Sequence, residues 1–257
     1  MDIEDKNNNV QVIDRTLDII ELLSTEQKGL GVTEISRKTN LHKTTVHRIL
    51  STLYSRNYVE KNNNGEYKIG LKLIEIAGCH INELELQTEA RPYLWELSPK
   101  YNLTSHLGVL DGLNVVYIEK LELYTHMRLY TQIGYRVPAY CSSLGKCLLS
   151  SLSEKELEEI MATCTFDRFT ENTICNINSL KNQLRKIRVQ KWAMDDQEQI
   201  IGQRCIAAPI YDYRGEVIAA VSGSGGLEQI PDDKIKAISD YIVNIAIEIS
   251  KRLGYKQ

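Results

Sequence analysis

Apolar residues recur at helical spacing from the start of the chain. Val10, Ile13, Leu17 and Ile20, with Leu23 beside them, predict a first amphipathic helix. Gly29-Leu30-Gly31 is expected to end it, and Thr33 reads as the N-cap of a short second helix running towards Thr39. After a break at Asn40-Leu41, Val46, Ile49, Leu50 and Leu53 mark the buried stripe of a third helix. Tyr58-Val59-Glu60 and Tyr67-Lys68-Ile69 flank Asn62-Asn63-Asn64-Gly65, the signature of a β-hairpin with Asn64-Gly65 near its tip. Helix, helix, turn, helix and hairpin in this order outline a winged helix-turn-helix over residues 1–70.

Leu71, Ile74, Ile81 and Leu84 then suggest one helix, read as an interdomain linker over 71–90. Arg91-Pro92 is expected to stop or restart it, because proline lacks the donor that a helix interior needs. A short helix carrying Tyr93, Leu94 and Leu97 follows, as far as Pro99. The remainder, 91–257, reads as an α+β domain with an antiparallel sheet. Strands His106–Leu110 and Val115–Lys120 flank the hairpin signal Asp111-Gly112, and a third strand is expected over His126–Gln132. Helices are expected at Ser143–Ser151, after the capping box Ser153-x-x-Glu156, and along Leu180, Leu184 and Ile187. Two strands, Arg204–Tyr211 and Glu216–Ser224, meet at Tyr213-Arg214-Gly215, and an isoleucine stripe from Ile235 to Ile249 closes the chain.

Charge adds a location to this outline. The formal net charge is −3, so any nucleic-acid contact needs a local positive patch. Between Glu34 and Glu60 there is no acidic residue, while Arg37, Lys38, Lys43, Arg48 and Arg56 are basic. With the apolar stripe of the third helix facing inward, Thr44, Arg48, Ser51 and Ser55 fall on the opposite side, flanked by Thr45 and His47. Hydroxyls, an imidazole and a guanidinium on one helix face suit base edges and phosphates in a major groove. Lys43 and Thr33 complete the candidate DNA-binding set. An ordinary solvated face is the alternative, and for Lys61 and Lys68 on the hairpin it has equal standing.

A second candidate site draws on three segments. Ser142-Ser143-Leu144-Gly145-Lys146 lies where a strand gives way to a helix, a place whose backbone donors favour an anion. Ser222 and Ser224 share one strand face, and counting back from a turn near Arg214 brings Cys205 beside them. Asp195-Asp196-Gln197-Glu198 leads into the same hairpin, and Arg128 lies upstream. Each has a plainer reading: turn residues for Asp195 and Asp196, a small buried hydrophobe for Cys205, a surface ion pair for Arg128.

Enzymatic and metal signatures fail. Gly145-Lys146 lacks a glycine at 140 and a hydroxyl at 147, so it is no phosphate-binding loop, and Gly223-Ser224-Gly225-Gly226 has the wrong dinucleotide spacing. The five histidines and six cysteines form no ligand cluster, so neither a metal nor another cofactor is expected. Thiols without disulfide spacing, no secretory apolar region and no membrane-length apolar run read as a cytoplasmic chain that does not enter a membrane. An enzyme using Cys205 as nucleophile and a non-sensing dimerisation module stay open.

Over essentially its whole length the chain resembles the IclR family of transcriptional regulators. The resemblance is carried by Gly31-Val32-Thr33-Glu34-Ile35, by Lys43-Thr44-Thr45-Val46-His47-Arg48-Ile49-Leu50, by His106-Leu107-Gly108-Val109-Leu110-Asp111-Gly112, by Ser142-Ser143-Leu144-Gly145-Lys146, and above all by Arg204-Cys205-Ile206-Ala207-Ala208-Pro209-Ile210. It implies a winged helix-turn-helix joined by a linker helix to a GAF-like effector domain, in homodimers that often pair into tetramers on double-stranded operator DNA. It also implies a small organic acid held at Ser143, Leu144, Asp195, Cys205, Ser222 and Ser224. Ser143-Leu144 replaces the Gly-Ala pair of glyoxylate-binding members, which points to a different acid. Residues Met127–Arg136 and Leu253-Gly254-Tyr255 resemble the KdgR subgroup. That likeness implies a repressor of pectin and hexuronate catabolism released by 2-keto-3-deoxygluconate; another small organic or aromatic acid is the alternative effector.

Overall fold

The computed structural model describes residues 10–26, 28–76, 85–122 and 131–256. Its contacts gather into two compact units, Met1–Glu83 and Leu84–Gln257.

The first unit contains α1 (Gln11–Ser24), α2 (Val32–Thr39), α3 (Lys43–Ser55) and a two-stranded antiparallel sheet of β1 (Val59–Lys61) and β2 (Tyr67–Ile69). Ile19, Leu23, Ile35, Val46, Leu50 and Val59 meet in its core. The turn between α2 and α3 is closed by Asn40 in the left-handed region, φ 54°, and by the Leu41 amide donating to Ser36 O at 3.1 Å. Two details differ from the sequence reading. Leu30 does not follow directly on α1: it exchanges backbone hydrogen bonds with Tyr67 (2.9 and 2.8 Å) and so extends the wing sheet. The N-cap of α2 is Gly31 rather than Thr33, because the Glu34 carboxylate accepts from the Gly31 amide at 3.2 Å and satisfies it. The stripe of α1 also splits: Ile19 and Leu23 are buried, whereas Val10, Ile13 and Leu17 are half exposed or more.

The second unit opens with α4 (Glu85–Tyr101) and the hairpin β3 (Thr104–Asp111) and β4 (Asn114–Leu121), followed by β5 (Arg136–Pro138). Three helices come next: α5 (Ser143–Ser150), α6 (Glu154–Met161) and α7 (Ile177–Gln190). The chain ends on β6 (Ala193–Asp196), β7 (Gln203–Tyr211), β8 (Val217–Gly226) and α8 (Ile235–Arg252). The sheet runs β5-β4-β3-β8-β7-β6 with every pairing antiparallel. Alternation along each strand sorts residues into two layers. Ile206, Ala208 and Val221 pack with Leu94, Leu97 and Ile242 of α4 and α8. Ala207 and Ala220 pack with Leu144, Leu148, Leu180 and Leu184 of α5 and α7. The expected capping box of α6 is present, with Ser153 Oγ accepting from the Glu156 amide and the Glu156 carboxylate accepting from the Ser153 amide.

Pro92 does not interrupt α4, and Pro99 also lies inside it. An interior proline costs about 3 kcal/mol, but burying each large apolar side chain returns roughly 1.5–3 kcal/mol, and Leu86, Leu94 and Leu97 are all buried on this helix. Of the expected linker helix, residues 71–76 are helical, 77–84 lie outside the described residues, and 85–90 belong to α4. The strand expected at His126–Gln132 falls mostly outside the described residues; its described part, Thr131 and Gln132, is not a strand, and β5 supplies the sheet edge instead.

Candidate functional site

On α3 the expected division holds. Val46, Ile49, Leu50 and Leu53 are buried, Lys43, Thr44, His47 and Arg48 are exposed, and Thr45 is half-buried between the two sides. Thr33, in the first turn of α2, is exposed. The acid-free stretch is less uniformly free than its sequence suggests, since Lys38 pairs with Glu26 from outside it. Among the described residues Arg37, Lys43, Arg48 and Arg56 carry no ion pair, which leaves their charge for a polyanion. On the wing, Lys68 pairs with Glu60 at 3.2 Å and Lys61 lies over the Tyr67 ring.

The second site is built on the start of α5 and the sheet beneath it. Ser142 caps the helix by accepting the Gly145 amide at 3.1 Å, so the donors left at the helix start are the Ser143 and Leu144 amides. Gly145 is required: a Cβ there would drive into the Ala139 backbone. Ser143 and Leu144 are both buried.

Across the sheet, Asp195 pairs with Cys205, Cys205 with Ser224, and Ser224 with Thr104. One row over, Ser222 lies between Ala207 and His106. Cys205, Ser222 and Ser224 therefore share one face, on the α5 side, and all three are buried. Counting from the turn would set Cys205 against Gly223, but an irregularity at Ile210/Tyr211 shifts the register by one and sets it against Ser224. The Asp195 carboxylate accepts from the Glu198 amide at 2.7 Å and from Gln199 Nε2 at 3.3 Å. Burial raises its pKa to about 6 against the opposing pull of those hydrogen bonds and of Lys146. Burial and the Asp195 charge push the Cys205 thiol up to about 12, so it is no thiolate at neutral pH. Arg128 lies outside the described residues.

Sequence reasoning did not assign His106 and Gln203 to this site, and it named Lys146 and Glu198 only within its candidate segments. His106 is buried and neutral, its pKa lowered to about 3 by burial and by Lys120; its ring lies 4.6 Å from that of Tyr117, and Nε2 sits 2.8 Å from Thr131 Oγ1. Gln203 lies two residues before Cys205 and points Nε2 at its sulfur, 3.6 Å away. Lys146, on α5, is fully buried and holds both Glu198 and the Met194 carbonyl, which ties the 194–198 segment to the helix. Glu198, buried beside Asp195, is raised to about 7, mainly by burial, with Lys146 opposing. The available signal was period-two placement: His106 and Gln203 are polar residues at inward positions of apolar strands. Among the described residues no group of histidines, cysteines and carboxylates is placed to hold a metal, and no helix is long and apolar enough to cross a membrane.

Comparison with known proteins places this arrangement. The IclR helix-turn-helix domain matches residues 12–63, and the bacterial transcriptional regulator IclR C-terminal domain matches residues 79–251. The chain is 33% identical to the HTH-type transcriptional regulator XynR of Escherichia coli K12, over 96% of this chain and 98% of that one. It is 32% identical to the HTH-type transcriptional regulator KdgR of the same organism, over 99% and 97%. The crystal structure of the Thermotoga maritima IclR protein resembles it with a TM-score of 0.84 at 30% identity, covering 96% of this chain and 100% of that one. These relatives are transcriptional regulators rather than enzymes, and this chain belongs to the IclR family of bacterial transcriptional regulators.

Proposed function

We propose that the protein is a cytoplasmic repressor of sugar-acid catabolism, of the pectin and hexuronate type, released from operator DNA by 2-keto-3-deoxygluconate. The observation that carries this reading is the row Asp195, Cys205, Ser224 on one sheet face, with Ser222 beside it, in the same layer as the start of α5. An acid's carboxylate is taken by the Ser143 and Leu144 amides, and its hydroxyls by Asp195, Ser222 and Ser224. Arg128 adds a charge-assisted hydrogen bond. Thr33, Lys43, Thr44, Thr45, His47 and Arg48 contact double-stranded operator DNA. Likeness to KdgR over nearly the whole chain supports the choice of acid. In this reading residues 1–70 bind DNA, 71–90 link, and 91–257 sense.

The protein works as a homodimer that can pair into a tetramer. Exposed Val10, Ile13 and Leu17, at helical spacing on the DNA-binding unit, support the dimer, since such an apolar face invites a second copy. Release follows if the acid binds the DNA-incompetent conformation more tightly than the competent one.

Calorimetry on the full chain tests the effector. 2-Keto-3-deoxygluconate should give heat and raise the melting temperature, with about 2.7 kcal/mol of stabilisation at a hundredfold excess over Kd. No heat and no shift with that acid, beside clear binding of an aromatic acid, would transfer the function to the alternative effector class.

A further inference from the structure

Three buried side-chain atoms among the described residues have no hydrogen-bond partner: His106 Nδ1, Glu198 Oε2 and Gln203 Oε1. They are not scattered. His106 is the strand partner of Ser222. Gln203 precedes Cys205 by two residues on β7, on the same sheet face, and leans towards it. Glu198 donates its amide to Asp195 and is held by Lys146 of α5. All three thus border the residues to which the preceding reading assigns the acid.

Their chemistry is also of one kind. An amide carbonyl oxygen only accepts hydrogen bonds, and so does the Glu198 carboxylate while it is ionised against Lys146. His106 is neutral, and in the tautomer whose Nε2–H donates to Thr131 Oγ1 the orphan Nδ1 is an acceptor as well. Buried acceptors without donors are costly, and they are rare enough to call for an explanation.

We propose that His106, Glu198 and Gln203 are specificity-determining residues that accept hydroxyls of the effector, so that the ligand is an acid carrying a polyhydroxylated chain. This rests on the sugar-acid reading above and deepens it: the three acceptors call for a ligand with three donors besides its carboxylate. A short keto acid brings none and a monohydroxylated aromatic acid brings one. Reach points the same way. His106 on β3 lies in the row of Ser222 and Ala207, and Gln203 stands four residues from Ala207 on β7, so the two positions are two strand spacings apart across the sheet and about 14 Å apart along it. An acid with a single carbon–carbon bond of about 1.5 Å does not touch both sides of that interval.

The test is calorimetry and thermal melting on the full chain, comparing wild type with His106→Phe and Gln203→Leu. The ligands are 2-keto-3-deoxygluconate, gluconate, pyruvate and 4-hydroxybenzoate. Wild type should bind a hydroxyl-rich acid, and each variant should bind it about five- to tenfold more weakly. Unliganded Gln203→Leu should melt close to wild type, because it removes an unpartnered carbonyl oxygen and only a long contact to the Cys205 sulfur, whereas His106→Phe also gives up the Thr131 hydrogen bond and should melt lower. If His106→Phe fails to fold, Gln203→Leu on the other side of β8 carries the same comparison. Wild-type affinity for the hydroxyl-rich acid in a folded variant overturns the assignment while leaving the sugar-acid reading intact. Wild type that binds only pyruvate or 4-hydroxybenzoate overturns both.

Discussion

Arg48 and Ile49 are neighbours with opposite fates: the guanidinium stands in solvent without an ion pair, and the isoleucine is buried under the helix. The helical period alone separates them, and it makes the exposed set proposed to face DNA readable from sequence. Arg48→Ala should weaken specific operator binding by roughly 1–3 kcal/mol, as expected for a base contact. Its melting temperature should match wild type, because the side chain packs against nothing in the core. Fluorescence anisotropy beside thermal melting checks both halves; normal operator affinity would remove α3 from the groove. Cys205 shows how the buried polar sheet face differs. Its thiol, pushed up to about 12 by burial and Asp195, is a packing group and weak hydrogen-bonding partner rather than a nucleophile. That agrees with a family of regulators. His106 and Gln203 were harder to read, because a polar residue in a strand declares its surroundings only when its neighbours across the sheet are known. β3 and β8 are distant in sequence, so Ser222 beside His106 is a fact of topology rather than of spacing.

Among the elements, helices and hairpins with a clean period were legible, and those governed by long-range packing were not. The β3–β4 hairpin turns where Asp111-Gly112 announced it, with Gly112 at φ 57°. α4 runs through two prolines because both sheet and α8 reward the apolar side it buries, a gain invisible to local propensity. The one-residue shift at Ile210/Tyr211 likewise escapes counting, yet it decides that Cys205 faces Ser224. α1 carries a different lesson. Its apolar residues cover more of its circumference than one core needs, which leaves the face of Val10, Ile13 and Leu17 outside. If that face pairs two copies, Leu17→Glu should shift the protein from dimer to monomer in sedimentation equilibrium and weaken operator binding, with little loss of monomer stability. A variant that stays dimeric would place the interface elsewhere.

At the scale of the molecule, two units carry the two candidate sites: a basic helix face in the first and a buried polar sheet face in the second. Lys146 is the device that gives the second its shape. It bridges α5, whose start offers backbone donors, and the 194–198 segment, which carries Asp195 and Glu198. Removing one partner of such a buried pair typically costs about 3–5 kcal/mol, so this tie holds the donor and acceptor sides of the site in one geometry. A ligand that touches both sides can bias that geometry, and the central claim is that this bias reaches DNA. The direct measurement is anisotropy of a labelled operator fragment, selected by the protein from genomic DNA, during titration with 2-keto-3-deoxygluconate. The account predicts that anisotropy falls to the value of free DNA as the acid saturates the protein, while pyruvate at the same concentration leaves the complex intact. Operator that stays bound at saturating sugar acid would contradict it.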